Sequence, residues 1–159
     1  MRTATRLALL TVLGLQSLLA MAADFAPAQL RGFPQDKLSI VHEQTTHTLQ
    51  IWLADTPERQ QQGLMFLTEL PPGYGMLFPL DSPRVMTMWM KNTYVSLDML
   101  FIGTDGRIVR IAANTEPLST NIISSGSVIG GVLEIRAGES KRLGLREGDR
   151  VLHGSFATK

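Results

Sequence analysis

The chain has 159 residues, no cysteine, three histidines, and 15 Lys plus Arg against 14 Asp plus Glu. That length is one domain's worth. The missing cysteine excludes disulfides, thiolate metal sites and a thiol nucleophile, and the near balance of charge offers no basic face to nucleic acid or to an anionic membrane.

The first 22 residues differ from the rest. Arg2 and Arg6 make a positive opening, Leu7 to Ala20 is an uncharged and mostly apolar run, and Ala20, Met21 and Ala22 supply the small-x-small order of a cleavage site. As a helix, those 14 residues would span about 21 Å, short of the roughly 30 Å hydrocarbon core. Residues 1–22 are therefore expected to be a signal peptide, and the product to be periplasmic or secreted, with no membrane attachment after cleavage. Removal of Arg2 and Arg6 takes Lys plus Arg from 15 to 13 against 14 acidic residues, a net charge of −1.

Residues 23–36 hold two prolines and a glycine without a sustained period, which predicts a flexible N-terminal arm before a single β domain over residues 37–159. From Leu38 the chain alternates, with Leu38, Ile40 and His42 on one face. After Gln44, Thr45 and Thr46, a second run puts His47, Leu49, Ile51 and Leu53 on one face, a β-hairpin pattern. Thr56 followed by Pro57 starts a short helix ending near Gly63, with Glu58 in its first turn. Thr68 to Tyr74 reads as loop and Gly75 to Phe78 as a short apolar run. Val85 to Asn92 and Leu97 to Ile102 read as strands. Thr104, Asp105 and Gly106 turn into another at Arg107 to Ala112. Leu118 to Ser127 is polar and irregular, and Val128 to Ile135 is a strand with a bend or bulge at Gly130 and Gly131. Glu139 to Leu143 makes one helical turn, and Glu147, Gly148 and Asp149 lead into a last strand from Arg150 to Gly154. The expected fold is mainly β: a compact barrel or sandwich-like domain of about seven strands with one or two short helices.

An ordered set of segments carries a resemblance. These are ERQQQGLM (Glu58 to Met65), GMLF (Gly75 to Phe78), WMKNT with LD four residues later (Trp89 to Asp98), VLEIRAG (Val132 to Gly138) and GLREGD (Gly144 to Asp149). Together they resemble the domain of unknown function 192 family over about residues 38 to 154. One departure is visible: Leu67 stands where the family commonly has an arginine. The resemblance implies a small, mainly β, often exported domain, with no established activity.

Several polar groups are candidates for chemistry. Asp98 interrupts the apolar run from Leu97 to Ile102 on the face of Leu100 and Ile102. A carboxylate on a half-buried strand costs several kcal/mol unless paired. Lys91, Asn92 and Thr93 lie close upstream, so either a structural network or a pocket floor is expected. Glu134 lies between Leu133 and Ile135 and points the other way, toward solvent or toward an acid/base pair with Asp98, as a hydrolase would need. Glu58 and Arg59 open the helix, as a solvated first turn or, through Arg59, as an anion contact. Met86, Met88 and Met90 share one strand face, as core or as soft ligands for Cu(I) in an oxidising compartment, with His42 and His47 flanking one turn. No nucleophile elbow, paired-histidine zinc motif, phosphate loop or dinucleotide fingerprint is present, and no cofactor is expected. The leading expectation is a binding module for a small polar ligand or a protein partner. Its pocket would lie near the WMKNT segment and use Glu58, Arg59, Trp89, Lys91, Asn92, Thr93, Asp98 and Glu134.

Mass spectrometry of protein recovered from the periplasm is expected to find Ala23 at the N-terminus. Intact Met1 on membrane-bound material would contradict the signal peptide.

Overall fold

The computed structural model describes residues 25–156; the expected signal peptide lies outside the described residues. Seven strands form one sheet: β1 (Gln35–His42), β2 (Thr45–Leu53), β3 (Tyr74–Met88), β4 (Leu97–Ile102), β5 (Ile108–Ala112), β6 (Ile123–Arg136) and β7 (Arg150–Leu152). Two short helices, α1 (Pro57–Gln62) and α2 (Glu139–Arg142), complete the order. The sheet order is β5-β4-β6-β3-β2-β1-β7. The sheet curls until its two edges meet. Arg107 and Arg150 form a bridge, Ile108 N–H donates to Asp149 O at 2.9 Å, and Val151 N–H donates to Gly106 O at 2.7 Å. Gly106 permits this seam: its φ is +79°, and a Cβ there would lie 2.7 Å from Val151 O.

Curling gives the sheet two buried faces. Leu38, Ile40, Leu49, Ile51, Leu77, Leu100, Ile102, Leu133, Ile135 and Val151 pack inside the barrel. Trp52, Met76, Phe78, Met99, Phe101 and Val132 face outward, yet they are also buried, under Leu64, Leu67 and Leu70. That cover exists because β2 pairs with β3 in parallel. Parallel neighbours need a crossover rather than a tight turn, and here the crossover carries α1 and residues 63–73 over the outer face. The sequence pattern suggested hairpins and did not show this connection.

The hairpin of β1 and β2 pairs Leu38 with Leu49 and Ile40 with His47, and its turn is Glu43 and Gln44, one residue earlier than expected. Two expected breaks are absent. The short run from Gly75 and the strand from Val85 are one strand, β3, which crosses Pro79 and Pro83 with a register shift between Pro79 and Arg84. Of the stretch read as irregular, residues 118–122 lie outside any strand as expected, and the rest belongs to β6, with Ile123 opposite Met88 and Ser124 opposite Thr87. Polar composition hid it, because this two-stranded part has one solvated side. The described part of the N-terminal arm lies against the sheet: Phe25 packs edge-on against Trp52 and Tyr74, and Leu30 and Phe33 are buried in the outer core.

Asp98 lies inside the barrel with Leu100 and Ile102, as alternation predicts, and is fully buried. Its donors come from the far side of the chain. Asn114 N–H donates at 2.8 Å, Ser140 N–H at 3.0 Å and Ser140 Oγ at 2.5 Å. Lys91, Asn92 and Thr93, the partners expected from sequence proximity, make none of these bonds. The carboxylate instead fastens α2 and the turn after β5 to one end of the barrel.

Asp98→Ala leaves the two Ser140 donors buried and unpaired, and is expected to lower stability by about 2–4 kcal/mol. Glu58→Ala, on the exposed first turn of α1, is expected to leave the urea midpoint nearly unchanged. Equal midpoints for the two variants would show that Asp98 is solvated.

Candidate functional site

A cavity of about 230 Å³ opens on the outer face of the sheet, between α1 and the far half of β3. One wall is Gln60, Gln61, Gln62, Gly63, Leu64 and Met65. The other is Phe78, Met86, Thr87, Met88 and Trp89, and Thr93 and Glu134 complete the lining. Local chemistry places each wall. Thr56 caps α1 by accepting from Arg59 N–H at 3.3 Å, and Pro57 follows at the first helical position. The helix stops at Gly63, where φ is +49° and a Cβ would sit 3.2 Å from the Phe78 ring. Absence of a side chain there lets the helix end rest on Phe78.

After Met90 the chain turns sharply, and Asn92 takes φ +57°, a left-handed conformation that asparagine tolerates better than most residues. Its carbonyl accepts from Phe66 N–H at 2.8 Å, and the Thr93 carbonyl accepts from Leu118 N–H at 3.0 Å. The turn ties the segment after α1 to the segment after β3, so the two walls are fastened to each other. It also supplies the change of direction that a regular strand through Lys91 and Asn92 would lack.

Glu134 is the unusual group. It stands on β6 opposite Met76 of β3 and Met99 of β4, in the middle of the sheet. It is only 4% exposed. Among the described residues no side chain or backbone group donates a hydrogen bond to its carboxyl, and its oxygens are not sealed off: they open on the cavity that the residue helps to line. The sequence reading expected this residue in solvent or beside Asp98; neither occurs. Asp98 is opposite Ile135, so it shares the inner face, whereas Glu134 points outward. No cleft holds both carboxylates, and the acid/base pair of a hydrolase is not assembled. Burial pushes the Glu134 carboxyl up to about 8.

The other candidates divide. Trp89, half exposed, and buried Thr93 join Glu134 at the cavity. Asn92 supports it from behind through its backbone. Lys91 is exposed and outside the lining. Arg59 points away, donating to Asp55 at 2.5 Å and to Gly32 O at 3.0 Å, and Glu58 is exposed beside it. The three methionines expected on one strand face do not share a strand: β3 ends at Met88, and Met90 beyond it is buried, with Thr115 Oγ1 3.1 Å from its sulfur. Met86 and Met88 are half-buried and line the cavity, and the third thioether there is Met65. His42 and His47 stand apart from it: His42 Nδ1 is 3.0 Å from Asp149 and its Nε2 3.2 Å from Arg146, an arrangement that pins the first hairpin turn to the loop before β7. Gln60, Gln61, Met65 and Phe78 were not singled out by sequence reasoning. The available signal was their place in the ERQQQGLM and GMLF segments. Leu67, the departure from the family pattern, is buried in the outer core and is not part of the lining.

The unfolded chain holds Glu134 at its ordinary value near 4.5, and the folded one near 8. Between these values the native state binds one proton more than the unfolded state. Its stability therefore falls as pH rises through that window and levels off above it. Glu134→Gln removes the titration. The variant is expected to exceed the parent by about 4 kcal/mol at pH 8, with the difference vanishing near pH 4.5, as read by urea unfolding. Parallel stability-pH curves for the two proteins would show a solvated, ordinary carboxylate.

Comparisons with known proteins agree with this fold. The DUF192 family, described as an uncharacterised ACR family, matches residues 39–153. A crystal structure of a provisionally named transcription regulator from Sinorhizobium meliloti 1021 is 41% identical, with a TM-score of 0.76 over 78% of this chain and 97% of that one. A protein of unknown function from Novosphingobium aromaticivorans DSM 12444 is 36% identical, with a TM-score of 0.76 over 83% of this chain and 94% of that one. Among curated proteins nothing matches. Four of the five segments that carry the resemblance, those containing Gln60, Phe78, Trp89 and Glu134, converge on one cavity. The chain belongs to the DUF192 family.

Proposed function

We propose that this chain is an exported binding module that takes a small ligand, with at least one polar group, in the cavity over Glu134. The single observation behind this reading is a carboxyl group buried in the middle of a sheet, without a protein partner, on the floor of an open cavity. Buried polar groups are almost always satisfied by the protein or by ordered water, so one that has no protein donor and opens on a cavity leaves its place to water or to a ligand. The walls fit the usual composition of a ligand site, apolar and aromatic with a few placed polar groups. The volume of about 230 Å³ limits the ligand, or the part of it that enters, to a small group. Export follows from residues 1–22, as the sequence indicates.

A second reading, Cu(I) binding, draws on Met65, Met86 and Met88, which line the same cavity. Soft thioethers suit that ion. Met90, part of the set expected from sequence, has no place in it. The regulator name of the Sinorhizobium relative draws no support from charge, since the chain without residues 1–22 has a net charge of −1.

A thermal-shift screen with amines, carbohydrates, amino acids, anions and Cu(I) tests the proposal. A ligand at 100 times its dissociation constant raises stability by about 2.7 kcal/mol. Trp89→Ala is expected to weaken the binding about tenfold while leaving the unliganded melting temperature close to that of the parent, because that side chain is half exposed. Ligand shifts that are identical in the parent and in Trp89→Ala would place binding elsewhere.

A further inference from the structure

We propose that the cavity recognises an organic cation, a primary ammonium on a short apolar body, with the Glu134 carboxylate as its counter-charge. This rests on the binding reading above and names its ligand class.

The lining offers free acceptors on Gln60, Gln62, Thr93 and Glu134, and donors without a partner among the described residues on Gln61, Thr87 and Trp89; Glu134 is its one charged group. Gln60 Nε2 is held by Pro79 O at 3.0 Å and Gln62 Nε2 by Gln29 O at 2.6 Å, which leaves both amide oxygens without a partner among the described residues. Thr93 Oγ1 donates to Lys91 O at 3.4 Å, so its lone pairs are free to accept. Glu134 adds two carboxyl oxygens. An ammonium group has three donors and no acceptor, which matches the four acceptor-bearing residues and sets its charge against the one carboxyl group in the lining. The remaining surface suits a cation's body: Trp89 and Phe78 offer aromatic rings, and Met65, Met86 and Met88 offer polarisable thioethers.

No charged side chain other than Glu134 lines the cavity. On α1, Glu58 is exposed and Arg59 is engaged by Asp55. On β3, Asp81 and Arg84 are exposed beyond the lining. Lys91 is exposed after it, and Arg136 is exposed at the end of β6. On β4, Asp98 occupies the opposite face. On β5, Arg110 bonds to Ser124 O and lies over the Phe101 ring, 5.6 Å from its centre. An entering cation therefore meets one compensating group. In the empty site that group holds a proton below about pH 8. Binding of R–NH₃⁺ leaves a carboxylate against the ammonium and releases one proton to solvent, with no covalent bond made or broken.

Isothermal titration calorimetry of the purified protein with n-butylammonium, n-butanol and butyrate tests this, at about pH 6 to pH 9 and in buffers of different ionisation enthalpy. Butylammonium is expected to bind at least ten times more tightly than butanol at pH 8. Its affinity should rise about tenfold per pH unit up to about pH 7 and level off above pH 8, with close to one proton released at the acid end. Glu134→Gln, a neutral shape-mimic that preserves the fold, should lose both the preference and the pH dependence. Butanol or butyrate binding as tightly as butylammonium, with Trp89→Ala weakening it, would overturn the cation and leave the pocket standing. A preference for butylammonium that survives in Glu134→Gln would overturn the role of the carboxylate. If none of the three binds, the cation reading falls, and the ligand screen with Trp89→Ala decides separately whether the cavity binds anything.

Discussion

Over residues 131–135 strand β6 is hydrogen-bonded on both sides, to β3 and to β4, and both faces are covered there. Every side chain along its second half must therefore suit an interior. Leu133 and Ile135 fill the barrel, and Val132 belongs to the outer core. Glu134 meets the same constraint with a group that water normally solvates. An ionised carboxylate there, with no donor, would be strongly unfavourable, and the physical response is to keep the proton. The stability of the sheet and the chemistry of the cavity are thus linked through one side chain.

Two strand carboxylates in this chain face that cost and resolve it differently. Asp98 receives three hydrogen bonds from Asn114 and Ser140, and so becomes a fastening between the barrel and the segments that close its end. Glu134 receives none. The difference comes from what covers each of them. Over Asp98, α2 brings backbone and hydroxyl donors directly to the oxygens. Over Glu134, the crossover from β2 to β3 brings mostly apolar side chains and the end of α1, and leaves a gap. Such a gap in an otherwise packed outer core gives no packing benefit of its own, which makes it the natural place to look for a ligand. The turn at Asn92 keeps the gap's two walls at a fixed separation, because it follows β3 directly and its carbonyl accepts from Phe66 N–H in the segment after α1.

Local patterns in the sequence determined most of the strands, the cap and stop of α1, the inward position of Asp98 and the family, because alternation, capping chemistry and turn residues act over a few neighbours. They also marked Trp89, Thr93 and Glu134 as residues of interest. Tertiary structure alone decided the rest. Whether the outer face of β6 is wet or dry depends on a parallel crossover, and nothing within a few residues of Glu134 records where residues 54–73 will lie. The donors for Asp98 come from Ser140, 42 residues along the chain, rather than from nearby Lys91, because a closed sheet brings its distant ends together. Arg59 turned to Asp55, four residues back on its own segment, and away from the cavity, and Met65 replaced Met90 among the thioethers that line it. Side-chain identity set what each residue could do; which neighbours it met was set by a sheet whose two edges join between Arg107 and Arg150.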